Sequence, residues 1–195
     1  MKKKFSLIKE YQECWKYIQE SKNFIYLAFG VFFIFVLVGF FVPAPESIKE
    51  QILIIIEKIL ETTIDLSTSE LITFIFFNNI QSSFLGMILG ILVGVYPLMA
   101  LIFNGYLLGF VASMSYDIEG FSILWKILPH GIFELPAIFI SLGLGIRLGT
   151  IFFQKNKKDS FRKLYLISLK VFFYIVLPLL IIAAVIEGSL IYAFQ

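Results

Sequence analysis

One cysteine and one histidine occur in 195 residues, and charged side chains make up only 15% of the chain. Cys14 has no second cysteine with which to close an intrachain disulfide. Without a CxxC pair or a His/Cys cluster there is no ligand set for structural zinc, and redox chemistry has no support. A lone His130 likewise leaves the HExxH spacing of metalloproteases unfilled. No GxSxG motif accompanies the serines, so a Ser–His nucleophile pair has no footing either. The few charges nearly balance, 16 Lys and Arg against 14 Asp and Glu for a net +2. The cations gather beside apolar runs, where they report orientation, so nucleic acid is excluded as a partner. Long polar stretches are missing too: the longest are the first 22 residues and the segment from Pro43 to about Ser69, neither of which makes a soluble domain. No cofactor is expected. The first apolar run lacks a small-residue cleavage site, since Pro43-Ala44-Pro45 follows it, and it reads as a retained helix.

What is abundant is apolar: 59% of residues are hydrophobic and 17% aromatic, the balance of an integral membrane protein. The fold class is all-α, a polytopic membrane helix bundle. A basic cytoplasmic amphipathic segment (1–22) precedes one membrane domain (23–195). Five runs approach the roughly 20 residues that a bilayer core requires, at about 24–42, 71–96, 98–114, 129–153 and 171–194, with Pro97 marking a tight turn between the second and third. Lys2, Lys3, Lys4, Lys9, Lys16 and Lys22 precede the first span. Arg147, Lys155, Lys157, Lys158, Arg162, Lys163 and Lys170 lie around the loop between the fourth and fifth. The positive-inside rule then gives a cell-membrane protein with a cytoplasmic N-terminus and an outside C-terminus. An outer interfacial helix is expected at about 46–61, where Ile48, Ile52, Ile55, Ile56, Ile59 and Leu60 recur at helical spacing among charges. On the inner face Phe5, Ile8, Trp15 and Ile18, interleaved with lysines, form a second amphipathic pattern, which suits a membrane-proximal helix that seats the bundle or one that attracts anionic lipid.

Small residues recur every fourth position: Gly86, Gly90 and Gly94 in the second span, Gly105 and Gly109 in the third, Ser141, Gly145 and Gly149 in the fourth. Such faces let backbones approach where lipid supplies no hydrophobic drive between helices. Spans two to four should form the compact core, with Gly131 beside the histidine counted among the packing positions. Gly90 is expected to tolerate a larger side chain less well than Gly39, which stands outside any such run. The same faces leave homo-oligomerisation open.

The polar residues within the spans are Asn78, Asn79, Gln81, Ser82 and Ser83 in the second, Asn104 in the third, His130 and Glu134 in the fourth and Glu187 in the fifth. His130 and Glu134 are one helical turn apart, on one face. The topology brings Asn78, Asn79, His130, Glu134 and Glu187 to similar depth in the outer half, with Asn104 deeper. Ionisable groups at membrane depth are costly and face a bundle interior or a polar cavity. Three readings remain open: a structural hydrogen-bonded cluster, a polar vestibule for a substrate, proton or headgroup, and a weak metal site built on His130 and Glu134. Pro129 suits the first turn of the fourth span, while Pro136 lies inside it and should bend it.

Three blocks carry a resemblance: Asn78-Asn79 with Ser83, Gly86, Gly90 and Gly94; Asn104-Gly105 with Gly109; and Pro129-His130-Gly131 with Glu134, Pro136 and Ala137. In order and spacing they resemble the stage II sporulation protein M family, over roughly Asn78 to Gly149. The resemblance implies a multispan membrane protein that, in endospore formers, works with cell-wall-degrading partners during engulfment and helps localise them. The first expectation is therefore a non-enzymatic scaffold positioning membrane or membrane-associated proteins. The alternative is a transport component or intramembrane enzyme using a vestibule around His130, Glu134 and Glu187.

Overall fold

The computed structural model describes the backbone of residues 6–120, 122–153 and 157–194, and their side chains except those of 117–119, 122–133, 157–160 and 187–194. Among the described residues every regular element is helical: α1 (Leu7–Glu20), α2 (Lys22–Phe41), α3 (Glu46–Thr63), α4 (Thr68–Ile88), α5 (Val95–Glu119), α6 (Ser122–Gly149), α7 (Lys157–Val171) and α8 (Leu177–Phe194). Five segments are long and apolar enough to cross a membrane: 22–41, 68–91, 95–116, 134–153 and 161–186. With α1 and α7 at one end of the bundle and α3 at the other, these segments alternate in direction.

The fourth segment is the centre. Buried residues make up 61% of its apolar window, against 17–33% in the other four, and α6 touches α2, α4, α5 and α8. Small side chains on several sides of one helix make this possible. Gly145 faces α4, Gly149 faces the turn that follows it at Val93 and Gly94, and Ser141 donates its hydroxyl to the Ser83 carbonyl at 2.7 Å. A Cβ at Gly143, a position outside the every-fourth-residue pattern, would lie 2.8 Å from the Ile25 Cα of α2. Phe139 fills the gap beside it, edge-on to Phe29 and Phe32 with ring centroids 5.5 and 5.3 Å away, the arrangement aromatic quadrupoles prefer.

Two parallel pairs surround this centre. In the α4–α6 pair a Cβ at Gly90 would overlap the Gly145 carbonyl, and one at Gly145 would stand 2.5 Å from the Gly86 carbonyl oxygen. In the α2–α5 pair Cβ atoms at Gly105 and Gly109 would overlap the Phe32 and Val36 carbonyls, and one at Gly39 would overlap the Tyr106 carbonyl. Gly39 is thus as tightly held as Gly90, contrary to the expectation from spacing. Its partners are alternate turns of another helix, and a repeat within one helix cannot reveal them. A Cβ at Gly30 on the same helix α2 would meet nothing within 4 Å among the described residues.

Prolines act differently from their sequence reading. The turn between the second and third spans lies at Leu92–Gly94, not at Pro97. A 3₁₀ turn (Leu89–Ile91) ends the α4 segment, and Val93 and Gly94 take left-handed φ values of 57° and 73°. The left-handed region costs a β-branched residue about 1–3 kcal/mol. A Cβ at Gly149 would collide with this turn, at 2.5 Å from the Val93 carbonyl carbon. Pro97 falls in the first turn of α5, where an absent N–H leaves no bond unmade. Pro129 does not open the fourth span either, because α6 already begins at Ser122. The last span runs back past Val171 through a π-helical turn (Phe172–Val176) in which the Leu177 N–H reaches the Phe172 carbonyl. That widened turn precedes Pro178, whose ring would otherwise press on the carbonyl four residues back.

The amphipathic helices are also reassigned in part. On α1 the bundle-facing stripe is Cys14, Tyr17 and Ile18, continued by Ser21. Ile8 and Trp15, grouped with Ile18 in the sequence reading, point away and are 71% and 60% exposed; Phe5 lies outside the described residues. On α3 only Ile52 is buried.

Candidate functional site

Two polar groupings are built into the bundle. The first lies half-way along α4, where Asn79 Nδ2 donates to Glu134 Oε1 of α6 at 2.6 Å. One turn deeper Ser83 is 1% exposed. Its carbonyl accepts from Ser141, while its own hydroxyl meets no partner among the described residues. Of the six polar residues expected to cluster, the structure brings together Asn79 and Glu134. Asn78 is exposed on the flank of α4. Asn104 is also exposed, its Nδ2 bonded back to the Ala100 carbonyl at 2.8 Å within its own helix. The side chains of His130 and Glu187, and the surroundings of Gly131, lie outside the described residues. Among the described residues no group of three His, Cys, Asp or Glu comes together as a metal cage. The Asn79–Glu134 bond can do one thing plainly: it crosslinks two parallel helices at a depth where a carboxylate is costly without a donor.

The second grouping, at the end carrying α1 and α7, was not anticipated. Arg147, near the end of α6, places its guanidinium 4.3 Å over the Tyr17 ring, donates from Nη1 to Ser21 Oγ at 2.6 Å and to the Tyr17 carbonyl at 3.3 Å, and pairs with Glu20 at 3.6 Å. Tyr17 hydroxyl and Ser168 Oγ of α7 are 3.1 Å apart, and burial pushes the phenol's pKa up. Lys170 Nζ reaches Glu10 at 2.5 Å and Glu13 at 3.3 Å. These contacts tie α1, α6 and α7 into one unit. Cys14 is enclosed between α1 and the bundle at 0% exposure, its thiol pKa likewise raised by burial.

Sequence reasoning treated Arg147 and Lys170 only as markers of orientation. A signal was present in α1: Glu10, Glu13, Tyr17 and Ser21 recur at intervals of three and four, a polar stripe on one helical face. What it faces could not be read from it. Beside this unit a cavity of about 700 Å³ opens between α1, α7 and the end of α6. Its walls include Lys16, Glu20, Arg147, Lys163 and Lys170.

Fold and polar ties together define a multi-pass helical membrane protein assembled around one central span. The chain belongs to the Stage II sporulation protein M family, whose sequence model matches residues 28–190. It is similar to an uncharacterized protein of Methanocaldococcus jannaschii, with 31% identity over 137 residues, covering 67% of this chain and 60% of that protein. The chain therefore spans less than two thirds of that relative's length. No solved structure matches it.

Proposed function

We propose that this protein is a non-enzymatic membrane scaffold that holds partner proteins at its α3 end, with the α1 end cytoplasmic. Family membership favours this reading, since the resemblance implies partner localisation. The observation that carries it is α3. Its Ile48, Ile52, Ile55, Ile56 and Ile59 share one face and suit the bilayer surface. Ile54 lies on the opposite face at 63% exposure, in line with Glu50, Glu57 and Glu61 at intervals of four, three and four. An acid-ringed apolar side chain turned away from the lipid-seeking face suits a protein contact with basic and apolar groups. The gathering of Lys9, Lys16, Arg147, Lys163 and Lys170 at the α1–α7 end supports the orientation.

The test is site-specific photocrosslinking in native membranes, with a benzophenone side chain at Ile54 and, for comparison, at Ile56. A scaffold gives a discrete protein adduct from Ile54, and Ile54→Lys abolishes partner co-purification while membrane insertion is retained. Adducts to lipid alone from both positions would refute the reading.

A further inference from the structure

The cavity beside Arg147 carries an unbalanced charge with an apolar flank. Of the cations on its walls, Arg147 and Lys170 are engaged by Ser21 and Glu20 and by Glu10 and Glu13. Lys16 on α1 and Lys163 on α7 make no ion pair or hydrogen bond among the described residues, although both line the same space. Four cations against Glu13 and Glu20 on the walls, with Glu10 paired to Lys170 beside them, leave a net charge of +1. Lys16 also borders a second hollow, an apolar groove on the neighbouring face of α1 formed by Leu7, Ile8, Tyr11, Trp15 and Ile175. Two free ammonium groups facing one cavity, one of them shared with an adjoining apolar groove, match an anionic headgroup attached to an acyl chain.

We propose that α1, α7 and the end of α6 form a discrete binding site for one anionic phospholipid. Its phosphate is held between Lys16 and Lys163 over the fixed Arg147 guanidinium, and its chain lies along Ile8, Trp15 and Ile175. Ammonium groups bind phosphate as point charges with rotatable donors, so two on opposite walls can close on one headgroup without a preset geometry. Arg147 contributes field, being held by Tyr17 and Ser21. This goes beyond general attraction of a basic helix to a charged membrane, because it requires a lysine from each of two helices. It is also independent of the scaffold: a protein that captured no partner would still retain this lipid.

The experiment uses the full chain, purified in detergent from nanodiscs containing phosphatidylglycerol and phosphatidylcholine, with retained lipid counted by native mass spectrometry. The unaltered protein is expected to keep one phosphatidylglycerol. Lys16→Gln with Lys163→Gln should weaken retention about thirtyfold, as expected for removal of two lysines near an anionic surface. Neither lysine has a partner among the described residues, so the melting temperature in detergent should hold. The control is Lys9→Gln with Lys22→Gln, two exposed cations of the same region outside the cavity. Equal loss in both pairs would overturn the site in favour of general electrostatics. Displacement of the lipid by millimolar inorganic phosphate would overturn the lipid in favour of a soluble anion. Retention of phosphatidylcholine at the same level would overturn both.

Discussion

Replacing Gly39 by Ala and, separately, Gly30 by Ala tests whether backbone approach holds this bundle together. Both glycines lie in α2, and in each the added methyl removes a glycine from a helix, worth about 0.5–1 kcal/mol by itself. What differs is the surroundings. At Gly30 the new Cβ meets nothing within 4 Å, so Gly30→Ala should be neutral or stabilising. At Gly39 it would overlap the Tyr106 carbonyl oxygen and come within 3.0 Å of the Phe110 nitrogen. Both obstacles are backbone, so no rotamer change relieves them. Overpacking of this kind costs about 1–3 kcal/mol. The upper half of that range applies, because moving α5 away also loosens the contacts at Gly105 and Gly109. The helix gain is shared and cancels, which leaves the two variants about 2–3 kcal/mol apart, roughly 30- to 150-fold in the folding equilibrium. Reversible unfolding in mixed micelles, titrated with a denaturing detergent, reads this directly. Equal shifts for the two variants would refute the argument, and Gly90→Ala should behave as Gly39→Ala does.

The end carrying α1 supports further tests. Arg147→Met and Ser21→Ala should be coupled by about 1.5–3 kcal/mol, the worth of a hydrogen bond to a charged group, and additive losses of stability would show that the 2.6 Å contact does not matter. The chain's one thiol reports docking of α1, since Cys14 is enclosed. Alkylation should be slow in the intact protein and faster in Glu10→Gln with Glu13→Gln, and an unchanged rate would deny that the Lys170 pairs hold the helix. Burial raises the Tyr17 pKa above its ordinary 10.0. The protonated phenol therefore favours the folded state fully below about pH 10, and that contribution is lost as pH climbs through the raised value. Cys14 alkylation, corrected for the reagent's own pH dependence, should accelerate there, and Tyr17→Phe should remove the step. Asn79→Ala and Glu134→Ala should be non-additive, by about 0.6–1.7 kcal/mol for an intramembrane hydrogen bond, and simple additivity in micelle unfolding would count against the 2.6 Å bond.

The architecture was legible because a bilayer imposes length and apolarity on every spanning segment, and five such runs stand out in any reading of this chain. Helix ends were less legible where proline was taken as the punctuator. At Pro97 the left-handed turn belongs to Val93 and Gly94, and the proline merely occupies a position that needs no donor. At Pro178, to which the sequence reading gave no role and through which the fifth span was drawn, a widened turn absorbs the ring and the helix continues. In both cases the residue excludes one hydrogen bond, and neighbouring residues decide whether the chain must turn.

The sites divide along the same line between local and long-range causes. Spacing within a helix pointed to shared faces at the glycines of the second to fourth spans, because periodicity defines a face, and a carboxylate inside an apolar run pointed to Glu134. It could not say which face of another helix meets it. Asn78 and Asn79 are adjacent and therefore point about 100° apart on a helix; Asn79 reaches Glu134 of α6, and Asn78 is exposed on the flank among the described residues. Gly39 and Gly143 carried no periodic signal, yet each lies where another backbone passes. Arg147 shows the limit most clearly. A cation closing an apolar span has the composition of an orientation marker whether it is solvated or, as here, seated on Tyr17 and bonded to Ser21 more than 120 residues earlier. Those partners sit on and just after a helix that Lys170 ties to the bundle through Glu10 and Glu13. A contact that needs three helices to be in place before any pair of its residues can meet leaves no trace in the spacing of one.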